Sequence, residues 1–218
     1  MRMVSQNSKY TSNLQKAGAA LEDVKILLKY WKNSVPQKEL VKELIVTNVL
    51  GKRSRKRTTD VIQCIFLPRY VNGYPKDHWV YLKKLMEANI PSDIIRPLLY
   101  FHCALNEPIV KNFVKKVLLE RYEKGILEVE SQDAYDFIQR GIEDSTIPVR
   151  WGDAVRIRVA SGLFAALKDF GIIEGGRSRK IAPKFIPMQV FFYIAFFIYN
   201  EALPEKKLLI MIIGSCFY

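Results

Sequence analysis

Apolar residues recur at three- and four-residue spacing along most of the chain, which is the pattern of amphipathic helices. Over residues 11–31 they are Leu14, Ala17, Leu21, Val24, Leu28 and Trp31. This spacing predicts one unbroken helix. A second helix is expected to begin after Pro36 and to stop at Gly51, a residue suited to a left-handed cap. A third is expected over 54–67, ending before Pro68.

The same pattern continues through the second half of the chain. Helices are expected over 77–88 and from Ser92, where Pro97 should kink or shorten the helix. Long helices are expected over 107–124, 132–142 (capped by Ser131) and 153–170, with a short apolar stretch over 126–129. The segment 171–183 contains a Gly-Gly turn between two short apolar pieces and predicts a β-hairpin.

Two apolar runs near the C-terminus, over 188–199 and 208–213, raise the question of a membrane. Both are far shorter than the roughly 20 residues that a spanning helix needs. The residues between them, NEALPEKK, are charged and include a proline. We therefore expect two buried helices rather than a membrane hairpin, in a cytoplasmic protein.

The composition is that of a globular protein with a polyanionic partner. The 218 residues are 49% hydrophobic and 26% charged, with a net charge of +12. Such an excess indicates nucleic acid or an acidic membrane surface. Three widely spaced cysteines without a CxxC pair suggest neither disulfides nor a zinc site. The length allows one domain or two that share a core; we divide the chain into 1–104 and 105–218.

The positive charge is concentrated in the 52–57 cluster, where five of six residues are cationic: Lys52, Arg53, Arg55, Lys56 and Arg57. The cluster follows the stop at Gly51 and opens the third helix, as in a helix-turn-helix unit whose second helix points its N-terminus at the major groove. Cations cost a few tenths of a kcal/mol each at a helix N-terminus, so phosphates are the favoured partner. Thr59 and Gln63 share the polar face of this helix. A solvated basic face without a partner is the alternative.

A second basic region follows the order helix, strand, helix, helix, hairpin, which is the order of a winged helix. Arg158, Ser161, Ala165 and Lys168 share one face of the helix over 153–170, and its small residues would allow close approach to DNA. The tip of the hairpin would carry Arg177, Arg179 and Lys180. The predicted fold is therefore all-α, a compact multi-helix protein with two helix-turn-helix units, the second one winged-helix-like. A helical bundle with a basic loop is the alternative.

Residues that could carry catalysis are few. The two histidines, His78 and His102, stand next to Asp77 and Cys103, and adjacent side chains point apart on a helix. The sequence contains no glycine-rich phosphate loop, GxSxG or HExxH motif. We expect no enzymatic activity, no cofactor and no metal.

Three groups of residues, in order along the chain, resemble the BrxA family of bacteriophage-exclusion (BREX) defence systems. The first comprises YTS at 10–12, Gly18 and ALE at 20–22. The second comprises NVLGKRSR at 48–55 and LPRY at 67–70. The third comprises LKDFGI at 167–172, GR at 176–177 and IAP at 181–183. The resemblance covers residues 9–185.

The resemblance implies an all-helical monomer with two helix-turn-helix units that binds duplex DNA and acts beside a DNA methyltransferase and other defence proteins. Together with the basic regions, it predicts a non-catalytic DNA-binding accessory protein of phage defence. Two other functions remain open: an RNA-binding helical module of the antitermination type, and a basic structural adaptor that docks an acidic protein.

Overall fold

A computed structural model describes residues 10–176, 178–183 and 185–200 of the chain. Two π-helical segments, π1 and π2, directly continue α-helices. The first half contains α1 (Leu14–Ala17), α2 (Leu21–Tyr30), α3 (Gln37–Val46), α4 (Arg55–Asp60), π1 (Val61–Val71), α5 (His78–Glu87) and α6 (Ser92–Asn106). The second half contains α7 (Pro108–Phe113), π2 (Val114–Leu118), α8 (Leu119–Glu123), β1 (Glu128–Val129), α9 (Ser131–Glu143), α10 (Asp153–Asp169), β2 (Ile173–Gly175), β3 (Arg179–Ile181) and α11 (Met188–Asn200).

The described chain is mostly helical with one small antiparallel sheet, which confirms the predicted all-α class with a short hairpin. The strands β2 and β3 form the predicted hairpin. The predicted apolar stretch over 126–129 supplies β1, which pairs with β3 and gives the strand order β1-β3-β2. Helix α9 begins with a reciprocal capping box formed by Glu130 and Asp133 instead of the predicted cap at Ser131.

One continuous cluster of buried apolar side chains extends through the whole described chain. Its members come from both sides of the predicted boundary between residues 104 and 105, which lies inside α6. The short helix α1 packs against both π1 and α10. The two halves therefore share one core, and α1 lies between them.

The helix expected over 11–31 is interrupted, which the sequence did not indicate. The backbone is left-handed at Gly18 (φ 58°) and Ala20 (φ 50°), so α1 and α2 are separate helices. The break exposes the carbonyl of Gly18, which accepts a hydrogen bond of 2.8 Å from Nη1 of buried Arg69. It also seats Gly18 against α10, where its Cβ position lies 3.6 Å from the amide nitrogen of Ala166. Local periodicity carries no information about these distant partners.

Two prolines, Pro68, expected to end its helix, and Pro97, expected to kink or shorten its helix, both lie inside helices. The helix opened by α4 continues as π1 through Pro68 to Val71, and α6 extends from Ser92 to Asn106 through Pro97. A proline inside a helix costs about 3 kcal/mol, whereas complete burial of one large apolar side chain contributes about 1.5–3 kcal/mol. Several large side chains are buried on each segment, so burial outweighs the prolines.

Helix α11 confirms that the apolar run over 188–199 is helical, but it is buried on one side only. Val190, Ile194 and Phe197 are buried, whereas Met188 and Phe192 are 67% and 61% exposed. Within the described residues, no helix is long and apolar enough to cross a membrane. The second run, over 208–213, lies outside the described residues.

Candidate nucleic-acid interface

The turn between α3 and α4 is organised by Asn48, whose structural role was not predicted from the sequence. Asn48 adopts a left-handed backbone conformation with φ 49°. Its side-chain amide donates to the carbonyl of Lys52 (2.8 Å), and its Oδ1 accepts from the amide of Lys52 (3.1 Å). The same oxygen accepts from the hydroxyl of buried Thr58 (2.8 Å). Asparagine tolerates this conformation better than most residues, which was the available signal.

Three cations of the 52–57 cluster project freely from this turn. Ser54 caps α4 by accepting a hydrogen bond from the amide of Arg57 at 3.3 Å. This fixes the start of α4, on which Arg55 and Lys56 lie, whereas Arg53 precedes the cap. Arg53, Arg55 and Lys56 are exposed, and none of them forms an ion pair with any residue that the structure describes. Their charge is therefore available to an external anion.

The other two cations of the cluster have partners within the protein. Lys52 forms an ion pair with Asp23, with 2.7 Å between Nζ and Oδ1. Arg57 donates through Nη1 to the carbonyl of Lys16, at the end of α1. Of the two polar candidates on the same helix, Thr59 donates to the carbonyl of its own helix at Arg55, and Gln63 is exposed.

Helix α1 joins this cluster to α10. Its C-terminal carbonyl at Lys16 holds Arg57, while its other side lies directly on α10. A Cβ atom at Gly162 would come within 2.3 Å of the carbonyl oxygen of Leu14. The two backbones therefore touch, and only glycine fits there. The 52–57 cluster and α10 consequently lie on opposite sides of a single helical turn.

This contact sets one edge of the small-residue face on α10. Ala165 was expected to leave room for DNA, yet its Cβ lies 3.7 Å from the Cβ position of Gly18 at the end of α1. Ala165 nevertheless remains exposed, so α1 borders the small-residue face without covering it. The remaining candidates, Arg158, Ser161 and Lys168, are exposed and form a row between α1 and the hairpin.

The cations of the hairpin differ from the expected tip residues. Arg179 lies in β3, not at the tip. Its guanidinium stacks over the ring of Phe164 at 5.3 Å and donates to the hydroxyl of Ser131. Lys180 also lies in β3 and is exposed, between the directly paired Glu128 and Glu174. Directly paired residues lie on the same face of a sheet, so these carboxylates are its cross-strand neighbours, although none of the ion pairs among the described residues includes Lys180. Arg177 lies outside the described residues.

A buried ion pair lies next to the junction between α1 and α2. Arg69 of π1 is fully buried and pairs with Glu107, with 3.1 Å between Nε and Oε1. Burial raises the pKa of Glu107, and the guanidinium offsets part of that rise. Because Arg69 also donates to the carbonyl of Gly18, the pair fixes the junction between α1 and α2.

Two buried histidines extend this polar region toward α11. The rings of His78 and His102 stack with centroids 4.1 Å apart, and His102 Nε2 lies 2.8 Å from the hydroxyl of Tyr193. Burial lowers the pKa of His78 to about 4, although the carbonyls of Pro75 and Arg69 act in the opposite direction. Burial lowers the pKa of His102 as well. Among the described residues, no group of His, Cys, Asp or Glu side chains could hold a metal ion.

Comparisons with known proteins identify the fold and the family. A crystal structure of an uncharacterized protein from Magnetospirillum magneticum superposes with a TM-score of 0.70 and 13% identity, covering 94% of this chain and 98% of that one. At this identity the match establishes a shared fold. No curated protein matches the chain at a significant level. The family model of BrxA matches residues 8–196. The chain therefore belongs to the BrxA family and is a component of a BREX phage-defence system.

Proposed function

We propose that the protein is a non-catalytic subunit that binds double-stranded DNA within its defence system. The observation that carries the proposal is the position of α1. It holds Arg57 on one side and contacts Gly162 of α10 on the other. We infer that the free cations of the 52–57 cluster and the exposed face of α10 border one surface, with α1 between them.

The order of elements from α7 to β3 supports a role for α10 at a DNA groove. Helix, strand, helix, helix and hairpin with the strand order β1-β3-β2 correspond to a winged helix, whose last helix enters the major groove. On the exposed face of α10, Arg158 and Ser161 occupy the first half, where base edges would be reached. Lys168 lies near the C-terminal end and would contact the backbone.

The 52–57 cluster supplies the main phosphate contacts in this proposal. Arg53, Arg55 and Lys56 are exposed and free of internal ion pairs among the described residues, so binding DNA would break no existing contact. Lys180 contributes less because Glu128 and Glu174 flank it. Contacts to phosphates carry little sequence information, so we expect weak sequence preference from this cluster. The protein would work beside a DNA methyltransferase and other proteins of the system.

The decisive experiment is a mobility-shift titration of the full chain with duplex DNA at several salt concentrations. Log affinity should fall linearly with log salt, with a slope of about −0.9 per phosphate neutralised. The variant Arg53→Ala/Arg55→Ala/Lys56→Ala should lose at least about tenfold in affinity at low salt and reduce the slope by about 2–3.

A matched control variant separates the effect of this particular site from the effect of the net charge. Lys32→Ala/Lys76→Ala/Lys84→Ala removes the same charge from exposed positions that lie outside both the 52–57 cluster and α10. This control should retain most of the affinity. Equal losses of affinity in both variants would show that the cluster acts only through its contribution to the net charge. An unchanged affinity of the cluster variant, folded by circular dichroism, would contradict the proposal. Preferential binding of duplex RNA of equal length would favour an RNA-binding role instead.

A further inference from the structure

The exposed face of α10 includes one large apolar side chain, that of Ile157. Ile157 is 53% exposed in the first half of this regular helix. It lies one turn before Ser161 and next to Arg158, both of which are exposed. Ala154, one turn toward the N-terminus, is exposed as well. Ile157 therefore stands above its small neighbours on the same face.

The surroundings of Ile157 are suited to contact with a nucleic-acid base. The acidic residue in the first turn of α10, Asp153, is engaged internally: Oδ1 accepts from the hydroxyl of Tyr135 (2.6 Å) and lies 3.4 Å from a guanidinium nitrogen of Arg156. This carboxylate is partly neutralised where the helix would meet DNA. On one side of the face stands α1 with the 52–57 cluster behind it, and on the other side stands the hairpin.

We propose that Ile157 contacts the C5 methyl group of thymine in the major groove and thereby gives the protein a preference for thymine-containing sites. This inference rests on the proposed DNA-binding function and adds a specificity-determining residue to it. In the major groove, thymine alone among the four bases presents a methyl group, and apolar side chains recognise it by contact. An isoleucine among small side chains on a helix that approaches the groove has the chemistry for this contact.

The test compares one A·T-rich duplex with the same duplex in which every thymine is replaced by uracil, which removes only the methyl groups. The wild-type protein should bind the thymine duplex more tightly, by about three- to fivefold for each methyl group buried. The ratio between the two affinities should stay constant as salt is raised, because a methyl group carries no charge. Total affinity should fall with salt for both duplexes.

The variant Ile157→Ala assigns the effect to this side chain. It should bind the thymine and uracil duplexes equally, with little change in affinity for the uracil duplex. Because Ile157 is exposed, the variant should remain folded, as checked by circular dichroism and thermal unfolding. The control Ile126→Ala removes another exposed isoleucine (46%) that precedes β1, and it should keep the wild-type ratio. 5-Methylcytosine presents a methyl group in the major groove at the same ring position as thymine. The wild-type protein should therefore bind a duplex with 5-methylcytosine more tightly than the same duplex with cytosine.

The outcomes separate the two proposals. Equal wild-type affinity for the thymine and uracil duplexes would overturn the role of Ile157 and leave DNA binding intact. A thymine preference that persists in Ile157→Ala would also overturn it, because DNA shape or another residue would then be responsible. Absence of any duplex binding by the wild-type protein would overturn both proposals together.

Discussion

The 52–57 cluster and the β2–β3 hairpin are both basic in sequence, yet the fold treats their cations differently. Arg53 lies in a tight turn and Arg55 and Lys56 lie in the first turn of α4, all exposed and without ion pairs among the described residues. In the hairpin, Arg179 stacks on an aromatic ring, and Lys180 lies between two glutamates. A count of cations along the chain therefore overstates the hairpin as a phosphate-binding surface. Partners within the fold decide how much charge each region offers.

The two regions are also supported by different forces. Behind the 52–57 cluster lie hydrogen bonds and buried charges, namely those of Asn48 and of the Arg69–Glu107 pair. Behind the hairpin and α10 lie aromatic packing around Phe164 and a direct backbone contact at Gly162. Polar support is sensitive to the loss of one partner, whereas packed backbone contacts are sensitive to added volume. Variants of each kind therefore test whether this difference is real.

The largest effect is expected from Arg69→Ala. It leaves Glu107 buried without its partner and removes the bond to the carbonyl of Gly18. Removal of one partner of a buried ion pair costs about 3–5 kcal/mol, to be measured by urea unfolding followed by circular dichroism. The double variant Arg69→Met/Glu107→Leu is the control and should recover most of that loss. A loss below about 1 kcal/mol for Arg69→Ala would show that the polar support is dispensable.

The second-largest effect is expected from a change of pH, because the two buried histidines make the stability of the fold depend on pH. Burial lowers the folded-state pKa of His78 to about 4, below its ordinary value of 6.5. The contribution of His78 to the free energy of unfolding is therefore complete above pH 6.5 and is lost as the pH falls toward 4. The reason is that the unfolded chain binds protons in this range, whereas the buried ring of the folded protein does not. His78 alone accounts for about 3 kcal/mol at about 1.4 kcal/mol per pH unit. Urea midpoints measured from pH 7.5 to 4.5 should fall steeply.

The variant His78→Phe/His102→Phe is the control for this pH dependence. The chain has only these two histidines, so the variant should show a much shallower decline between pH 6.5 and 5. The quantity to compare is the slope of the free energy of unfolding against pH, not the absolute stability of the variant. The same slope in variant and wild type would assign the dependence to carboxylates elsewhere in the protein.

Gly162→Ala tests the apolar side of the comparison. The new Cβ would lie 2.3 Å from the carbonyl oxygen of Leu14, so α1 must move away from α10. Overpacking of this kind costs about 1–3 kcal/mol in thermal or urea unfolding. Duplex binding should weaken as well, because α1 also holds Arg57. Gly152→Ala is the matched control, since a Cβ there meets nothing within 4 Å. Equal stability of the two variants would contradict the close contact.

Asn48→Ala should have a smaller effect that is confined to the first region. It removes the hydrogen bonds to Lys52 and leaves the hydroxyl of Thr58 without its acceptor, at a cost of about 1–3 kcal/mol. Asn48→Gly keeps the left-handed conformation accessible and separates backbone strain from the lost hydrogen bonds. Both variants should weaken duplex binding if the turn positions the free cations. Wild-type binding by both folded variants would show that the turn need not be ordered.

The smallest effect is expected in the hairpin and has the opposite sign. Glu174→Gln removes one carboxylate beside Lys180 and should tighten duplex binding by about twofold, the size typical of an exposed charge pair. Glu143→Gln, at the exposed end of α9, is the control for net charge. Tighter binding by both variants to the same degree would indicate a general charge effect, and the proposed compensation in the hairpin would be wrong.

Sequence periodicity and charge determined much of this protein. The three- and four-residue spacing of apolar positions predicted α5, α9 and α10, the apolar run over 188–199 predicted α11, and the Gly-Gly turn predicted the hairpin. These features depend on neighbours within a few positions, which is the range over which amphipathic patterns act. The 52–57 cluster was evident for the same reason, because its residues are contiguous. The family resemblance was also contained in short stretches of sequence and is confirmed over residues 8–196.

Only the tertiary structure decided what depends on distant partners. The break between α1 and α2 follows from Arg69 and α10, and the continuation through Pro68 follows from burial of π1. The same holds for the cations, since Arg179 stacks on a ring fifteen positions away, whereas Arg53 meets no internal partner among the described residues. A residue type fixes the charge of a side chain. Burial and contacts between segments far apart in the chain fix whether that charge is free to bind another molecule.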